Sequence, residues 1–203
     1  MGENDAENEA HTYRYYGIAA TYDNGGLSGY LAVDSTNYAS NDNVGGYWDT
    51  DDSLTVTFGG SYDFEVVKVY LGAQWYQNTL ISKIGGVVAN NSFYGPEGAL
   101  ELGDVSLNGY SILLGRDAPL GGGKLMAAAA YMDGSEGDVE EDEYDFTRWV
   151  VSVGYDYPLS KRTNVYGVMS YMDDQLEGKK GDFANQEWNL SAYTFMVGMR
   201  HKF

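Results

Sequence analysis

The sequence predicts an all-β fold, a transmembrane antiparallel β-barrel built as a meander, and three observations support this prediction. Gly (27 residues) and Tyr (19) are abundant and Pro (3) is scarce, which favours extended, turn-rich structure. No window approaches about eighteen consecutive apolar residues, so a membrane would have to be crossed by strands. Apolar and polar residues alternate with a period of two, as in strands with one apolar and one polar face.

Residues 53–64 show this alternation most clearly. Leu54, Val56 and Phe58 are expected on one face of a strand, and Thr55 and Thr57 on the other. Residues 67–76 repeat the pattern after a very short connection, as in a tight hairpin. The same pattern, followed along the chain, predicts nine strands. They cover residues 12–23, 27–37, 53–63, 66–77, 105–116, 124–133, 145–156, 163–173 and 191–203.

The connections between these strands alternate in length. Short turns are predicted at residues 24–26, 64–65, 118–123 and 158–162. Long polar loops are predicted at residues 38–52, 78–104, 134–144 and 174–190. Membrane barrels alternate short turns on one side with long loops on the other, so the pattern predicts a meander in chain order with almost no helix outside the loops.

Two hairpins resemble each other. PLGGGKLMAAAAYMD, from Pro119, and PLSKRTNVYGVMSYMDD, from Pro158, share the entry Pro-Leu and the strand end Tyr-Met-Asp. The two copies are about 40 residues apart, the spacing expected when one supersecondary unit is reused around a sheet.

Aromatic residues on the apolar faces are concentrated near the strand ends. Tyr and Trp present an apolar body and a polar tip, so two such groups predict girdles at two membrane-water interfaces. The alternative is that aromatic residues simply favour strands. The group near the short turns is Tyr22, Tyr62, Phe64, Tyr155 and Phe203, and the group toward the loops is Tyr16, Trp75, Tyr131, Trp149, Tyr171 and Tyr193.

Composition and motifs argue against nucleic-acid binding and catalysis. The formal net charge of -18, with only 12 Lys and Arg, would repel nucleic-acid phosphates. There is no Cys, and the histidines are His11, in the acidic start, and His201, on the apolar face of the last strand. A phosphate loop before Lys124 is rejected because Ala118 and Leu125 occupy positions that require Gly and Ser or Thr. No enzyme activity, catalytic residue or cofactor is expected.

Two stretches resemble a known family. YDYPLSKRTNVYGVMSYMDD (residues 155–174) and VGMRHKF (residues 197–203) are similar to a hairpin and the terminal strand of Gram-negative general diffusion porins, the sixteen-stranded trimeric kind. YDNGG (residues 22–26) fits the same family, and the resemblance covers the chain from about Tyr13. It implies a water-filled outer-membrane channel for passive diffusion of ions and small hydrophilic solutes. It also implies a homotrimer in the full-length form, in contact with outer-membrane lipid and lipopolysaccharide.

The last predicted strand carries a further resemblance. Alternating apolar residues that end in Phe resemble the signal by which the outer-membrane assembly machinery recognises its substrates, by strand pairing at an exposed edge. The alternative is a soluble protein whose last strand happens to end in Phe. The residues of the predicted assembly signal are Tyr193, Phe195, Val197, Met199, His201 and Phe203.

The chain departs from this family in length. A porin of this kind is nearly twice as long, and the nine predicted strands are similar to its last nine. The seven earlier strands are missing, with the inward-folded loop that narrows the family's pore, so no constriction residue is carried over. We therefore expect a C-terminal portion, from a truncated gene, a fragment or a split porin. Residues 1–11, which lack a signal-peptide pattern, are expected to be an acidic disordered leader, and residues 12–203 the barrel.

Charged residues on the polar faces are the candidate functional residues. Charges along a water-filled pore bias which small ions pass, at modest energy because water screens them. The alternative is that any wet face collects charges without a role in selectivity. The pore-lining candidates are Lys68, Arg148, Arg200, Lys202, Asp63, Asp117 and Asp156.

The alternation also predicts which side chains face lipid, and a one-residue error would invert a whole strand. The predicted lipid-facing set is Leu54, Val56, Phe58, Val69, Leu71, Val151, Val153, Phe195 and Val197. The predicted concave set is Thr55, Thr57, Lys68, Gln74, Arg148, Ser152, Arg200 and Lys202.

Residues 134–145 form an acidic segment with seven carboxylates and no basic residue. Clustered carboxylates suit Ca²⁺ or Mg²⁺ that bridge lipopolysaccharide, but the spacing of a dedicated calcium loop is absent, and a solvated external loop is the favoured reading. The weak metal candidates are Glu140, Glu141, Asp142 and Glu143.

Two other classes of protein stay open at the level of sequence. A small structural or adhesive barrel would fill its interior with interlocking bulky side chains, whereas Gly, Ser, Thr and Ala are common on the predicted wet faces. A soluble β-sandwich, such as a sugar-binding module, would bury one face of each strand in a shared core and would not need two aromatic belts.

Overall fold

The structure, a computed structural model, describes residues 14–37, 52–80, 93–95, 98–100, 106–136, 143–180 and 184–203. These ranges contain strands and turns and no helix, and so no helix long and apolar enough to cross a membrane. The strands are β1 (Arg14–Asn24), β2 (Leu27–Asn37), β3 (Ser53–Asp63), β4 (Lys68–Leu80), β5 (Phe93–Gly95), β6 (Gly98–Leu100), β7 (Ser106–Leu120), β8 (Gly123–Glu136), β9 (Glu143–Pro158), β10 (Thr163–Lys180) and β11 (Glu187–His201).

Nine of these strands form one sheet, in the order β1-β2-β3-β4-β7-β8-β9-β10-β11. Every neighbouring pair in it is antiparallel. The short strands β5 and β6 pair with each other in a separate two-stranded sheet. The predicted meander of nine strands in chain order is confirmed, and β1 and β11 form the two edges of the sheet.

The turns that were predicted to be short are short in the structure. Gly25 begins the turn from β1 to β2 with φ 59°, and Gly121 and Gly122 form the turn from β7 to β8 with φ 57° and 83°. Glycine adopts these left-handed values at little cost because it has no Cβ. The glycine-rich sequences at these positions therefore close the hairpins in two residues.

The strands extend further on the loop side than the sequence predicted. β8 runs to Glu136, β9 begins at Glu143, β10 runs to Lys180 and β11 begins at Glu187, so much of the predicted loops 134–144 and 174–190 is paired strand. Polar residues occur on both faces of these extensions, which removes the apolar alternation that marks a strand although the backbone ladder continues. At the other end, β7 continues to Leu120.

The predicted last strand also ends early. β11 stops at His201, so Lys202 and Phe203 lie beyond it. The backbone amide of Lys202 donates a hydrogen bond to the carbonyl of Arg162, at 2.8 Å.

The two faces of the sheet differ in exposure. Cross-strand neighbours share a face, and β9 alternates between buried and exposed residues: Arg148 is 8% exposed and Trp149 is 54% exposed. We call the face that carries Arg148 the inner face and the face that carries Trp149 the outer face. The register places the whole predicted lipid-facing set on the outer face and the predicted concave set on the inner face, except Lys202, which follows β11.

Candidate pore-lining face

A row of charged side chains crosses the inner face near the short turns, and its sign alternates from strand to strand. Lys68 lies opposite Asp63 and Asp117 in the register, and Lys124 lies opposite Asp156. With three carboxylates and three cations, the row is balanced in charge. Its members are Asp63 on β3, Lys68 on β4, Asp117 on β7, Lys124 on β8, Asp156 on β9 and Arg200 on β11.

Asp117 on β7 is hydrogen-bonded to residues of both neighbouring strands, β4 and β8. Its Oδ2 accepts hydrogen bonds from Lys124 Nζ at 3.0 Å and from the Tyr70 hydroxyl at 2.8 Å. Lys68 Nζ lies 5.5 Å from the centroid of the Tyr70 ring, a cation-π distance. Sequence reasoning missed Lys124. The β7–β8 register places Lys124 on the same face as Asp117, and it is the signal that could have identified this residue.

Asp156 is held by neighbours on β10 and β11. Its Oδ2 accepts a hydrogen bond from Asn164 Nδ2, and Arg200 Nη2 lies 3.4 Å away. Arg200 Nε also donates to Asn164 Oδ1 at 3.2 Å. The Arg200 side chain remains 62% exposed, so this pair is strongly screened by water wherever the inner face is wet.

Small residues line the inner face next to this row. Gly115 lies opposite Ala128 and Gly154 lies opposite Met126 in the register, and these four residues line a groove together with Tyr70 and Val168. The hydroxyls of Ser152 and Ser170 are 2.7 Å apart and hydrogen-bonded. Gly115 and Gly154 are themselves buried, and the side chains of Met126 and Val168 lie against Gly154, so small and larger residues alternate in this part of the inner face.

Three inner-face tyrosines lie across from glycines of the next strand. Tyr30 faces Gly59, Tyr76 faces Gly109 and Tyr166 faces Gly198 in the register. A Cβ added at any of these three glycines would overlap the facing tyrosine or the backbone beside it. The glycines therefore allow the tyrosine side chains to lie close against the sheet, an arrangement that pins register and covers the exposed glycine.

Arg148 lies on the predicted inner face, but its guanidinium is bound to a buried carboxylate of the sheet. Its Nε and Nη2 donate to Asp174 Oδ1 and Oδ2 at 2.6 and 2.9 Å, a bidentate pair. Asp174 is 0% exposed, and the guanidinium carbon lies 5.2 Å from the centroid of the Phe146 ring. The sequence had placed Asp174 in a loop, so this partner was missed.

Buried apolar side chains surround this ion pair at the loop end of the inner face. Tyr76 and Phe146 are 1% and 0% exposed, and the Tyr76 hydroxyl donates to the carbonyl of Asp133 at 2.8 Å. The inner face is thus filled by large buried side chains at its loop end, whereas the sequence indicated only that Gly, Ser, Thr and Ala are common on the wet faces. The buried apolar residues are Tyr76, Leu107, Met132, Tyr144, Phe146 and Leu176.

The outer face has the aromatic groups that the sequence predicted at its two ends. Toward the loops, the Tyr131 and Trp149 rings are 4.5 Å apart, and those of Tyr171 and Tyr193 are 4.9 Å apart. Toward the turns, Tyr155 donates its hydroxyl to the carbonyl of Leu120 at 2.6 Å. The residues between the two groups are apolar and exposed, such as Val151 at 49% and Val153 at 44%.

The residues of the predicted assembly signal lie at the β11 edge. Tyr193, Phe195, Val197, Met199 and His201 all fall on the outer face, and Phe203 follows the strand with its ring 5.0 Å from that of His201. His201 Nδ1 is also hydrogen-bonded to Thr163 Oγ1 at 2.9 Å. Their role in assembly stays a prediction.

The candidate cation site falls largely outside the described residues. Glu140, Glu141 and Asp142 are not among them, nor is His11 or the rest of the predicted acidic leader, and Glu143 is the first residue of β9. In the part of the chain that the structure describes, no group of three or more His, Asp or Glu side chains is arranged to hold a metal ion.

The antiparallel meander, with one apolar face bounded by aromatics and one face with a charged row, defines the wall of a transmembrane β-barrel. The sequence pattern of the Gram-negative porin family matches residues 1–175. The chain belongs to the Gram-negative porin family, and its location is the outer membrane.

The relatives and a solved structure agree with this assignment. The chain is 32% identical to an outer membrane porin protein of Bordetella pertussis, over 90% of this chain and 44% of that protein. It is 28% identical to outer membrane porin protein 32 of Delftia acidovorans, over 94% of this chain and 46% of that protein. It matches the anion-selective porin from Comamonas acidovorans with a TM-score of 0.56 and 26% identity, over 94% of this chain and 49% of that one. The chain thus spans about half the length of the curated relatives it matches.

Proposed function

We propose that this chain forms part of the wall of a water-filled channel through which ions and small hydrophilic solutes diffuse passively. The observation that carries the proposal is the division of one nine-stranded sheet into an apolar outer face and an inner face with a charged row. In a bilayer the apolar face contacts lipid and the charged face must meet water, because lipid-facing charge is costly.

The inner-face row is the candidate for an influence on ion passage. Lys124 pairs with Asp117 and Arg200 with Asp156, and Lys68 lies opposite Asp63 and Asp117 in the register, so the effect of the row on ions is expected to depend on local fields between neighbouring charges rather than on a net charge. Arg148 contributes little to this field because Asp174 neutralises it within the packed wall. The proposed pore-lining residues are therefore the six members of the charged row.

The proposal includes no catalysis. Among the described residues the polar groups of the inner face pair with each other along the wall, and they do not converge on an enclosed cleft with a nucleophile and a base. We also propose, from family membership, a homotrimer in the full-length form, contact with lipopolysaccharide, and use of the β11 outer-face residues by the assembly machinery.

Packing at the loop end bears on the rival proposal of a structural barrel. Buried Tyr76, Phe146 and Leu176 fill part of the inner face, as that rival requires. The charged row near the turns does not fit it, because the side chains of Lys124 and Arg200 remain 49% and 62% exposed there, whereas a filled interior would cover them. We therefore favour a channel with a packed wall on the loop side.

Two adjacent positions on β9 test the channel proposal. The chain has no Cys, so Ser152→Cys on the inner face and Val153→Cys on the outer face each introduce a single thiol. In lipid vesicles we expect a membrane-impermeant thiol reagent to label the Ser152→Cys protein and to spare the Val153→Cys protein. In planar bilayers, labelling should lower the conductance of the first variant only. Labelling of the second variant alone would show that the faces are reversed.

A further inference from the structure

The repeated Tyr-Met-Asp motif has the same geometry at both of its positions. On β8 the Tyr131 hydroxyl donates to Asp133 Oδ2 at 2.8 Å, and on β10 the Tyr171 hydroxyl donates to Asp173 Oδ2 at 3.0 Å. Tyrosine and aspartate two residues apart share the outer face of a strand, and the methionine between them points to the other face. The repeat therefore builds the same side-chain pair twice on the outer surface.

The two pairs are joined by the strand between them. Trp149 on β9 lies opposite Tyr131 of β8 and opposite Asp173 of β10 in the register, and its ring is 4.5 Å from that of Tyr131. The Tyr171 ring is in turn 4.9 Å from that of Tyr193 on β11. The pairs thus belong to one continuous patch across four strands.

The outer face changes from apolar to polar at this patch. One step toward the turns, the four strands carry Ala129, Val151, Met169 and Phe195. One step toward the loops they carry Asp133, Thr147, Asp173 and Ser191. The hydroxyl of each motif tyrosine is tied to the first carboxylate beyond the apolar band, by a charge-assisted hydrogen bond.

We propose that the two Tyr-Met-Asp motifs form a depth stop that binds the headgroup layer of the lipid bilayer. Each tyrosine ring lies at the boundary of the hydrocarbon, where an amphipathic ring is favoured, and each carboxylate lies in the headgroup layer outside it. Movement of the sheet toward the turns would draw the carboxylates into hydrocarbon, and movement toward the loops would expose apolar residues to water. The hydrogen bond makes ring and carboxylate respond to the bilayer as one unit. This inference rests on the proposed function, because it requires the outer face to contact lipid.

Two double variants test the depth stop, one at its tyrosines and one at its aspartates. Y131F/Y171F keeps the rings and removes the donors, and D133N/D173N keeps the side-chain shape and removes the charge. Y16F is the matched control, because Tyr16 is a belt tyrosine on β1, outside this patch, and the residue one step toward the loops from it is Arg14 rather than a carboxylate. D133E/D173E retains the charge and is expected to behave as the parent protein.

The readout is the depth of a nitroxide spin label in phosphatidylcholine vesicles, measured from its collisions with lipid-soluble oxygen and with a water-soluble nickel chelate. The label is placed by Thr147→Cys, opposite Asp133 in the register. We expect both test pairs to move the label toward the hydrocarbon by about the rise of one strand residue, ~3 Å. The control and the D133E/D173E variant should leave the label at its original depth.

A second label, placed by Val151→Cys, separates this proposal from the proposed function. If that label is reached by the nickel chelate rather than by oxygen, the outer face does not contact lipid and both proposals fail. If it lies in lipid and the Thr147→Cys label does not move in either test pair, moves in only one, or moves equally in the control, the depth stop alone is overturned.

Discussion

At the scale of single residues, the pair of Arg148 and Asp174 shows how a charge predicted for the pore is used in the wall. The register explains the face on which Arg148 lies. Arg148 is buried because apolar residues pack around it, and this packing cannot be predicted from the spacing of residues in the sequence. Asp174 was missed because residues 174–180 have no alternation of apolar and polar residues, although they continue β10.

Removal of one partner of this pair is expected to be strongly destabilising. In Arg148→Ala, the buried carboxylate of Asp174 loses its bidentate guanidinium partner, and the expected loss is about 3–5 kcal/mol of unfolding free energy. The double variant R148M/D174L removes both charges and should recover most of that loss. Urea unfolding in lipid vesicles measures both values.

The control for this prediction is the pair of Lys124 and Asp117. Its side chains are 49% and 14% exposed, so Lys124→Ala should cost only about 0–1 kcal/mol. Equal losses in Lys124→Ala and Arg148→Ala would contradict the assignment of Arg148 to a buried structural pair.

At the scale of strands, each tyrosine–glycine pair connects two neighbouring strands, because the tyrosine ring occupies the space that the glycine leaves free. The sequence shows Gly59 and Tyr30 only as members of two polar faces. Their contact depends on the register between β2 and β3. Because a long connection joins these two strands, the sequence does not determine that register. Strand existence and facing could be predicted because one face is apolar, but the partner of a particular side chain could not.

Gly59→Ala tests this contact. The added Cβ would overlap the Tyr30 ring, so the ring must swing away from the sheet, and we expect a loss of about 1–3 kcal/mol in urea unfolding. In a Tyr30→Ala background the same substitution should cost much less, because the obstacle is gone. Gly72 faces Gly59 in the register, and a Cβ there meets Leu113 Cβ at an ordinary 3.5 Å, so Gly72→Ala is the matched control. A loss in Gly59→Ala that persists without the Tyr30 ring would refute the shape argument.

At the scale of the whole molecule, the sheet has a paired interior and two edges. β8, β9 and β10 each pair on both sides, whereas every residue of β1 is exposed and β1 pairs with β2 alone. We expect amide hydrogens of β9 to exchange most slowly and those of β1 to exchange fastest among the nine strands, because local opening requires the loss of fewer contacts at an edge. Hydrogen exchange followed by mass spectrometry measures this order. Slower exchange in β1 than in β9 would contradict the observed strand order.

The number of strands in the meander also limits what can complete it. With nine antiparallel strands, β1 and β11 run in the same direction. If a second copy of the chain inserted with the same orientation, its edge strands would run in the same direction as β1 and β11. Both pairs of edge strands that meet between the two copies would then be parallel. Two antiparallel junctions require a complement whose own first and last strands both run the opposite way. Such a complement has an odd number of strands, and the closed barrel then has an even number, as is usual for bacterial outer-membrane barrels.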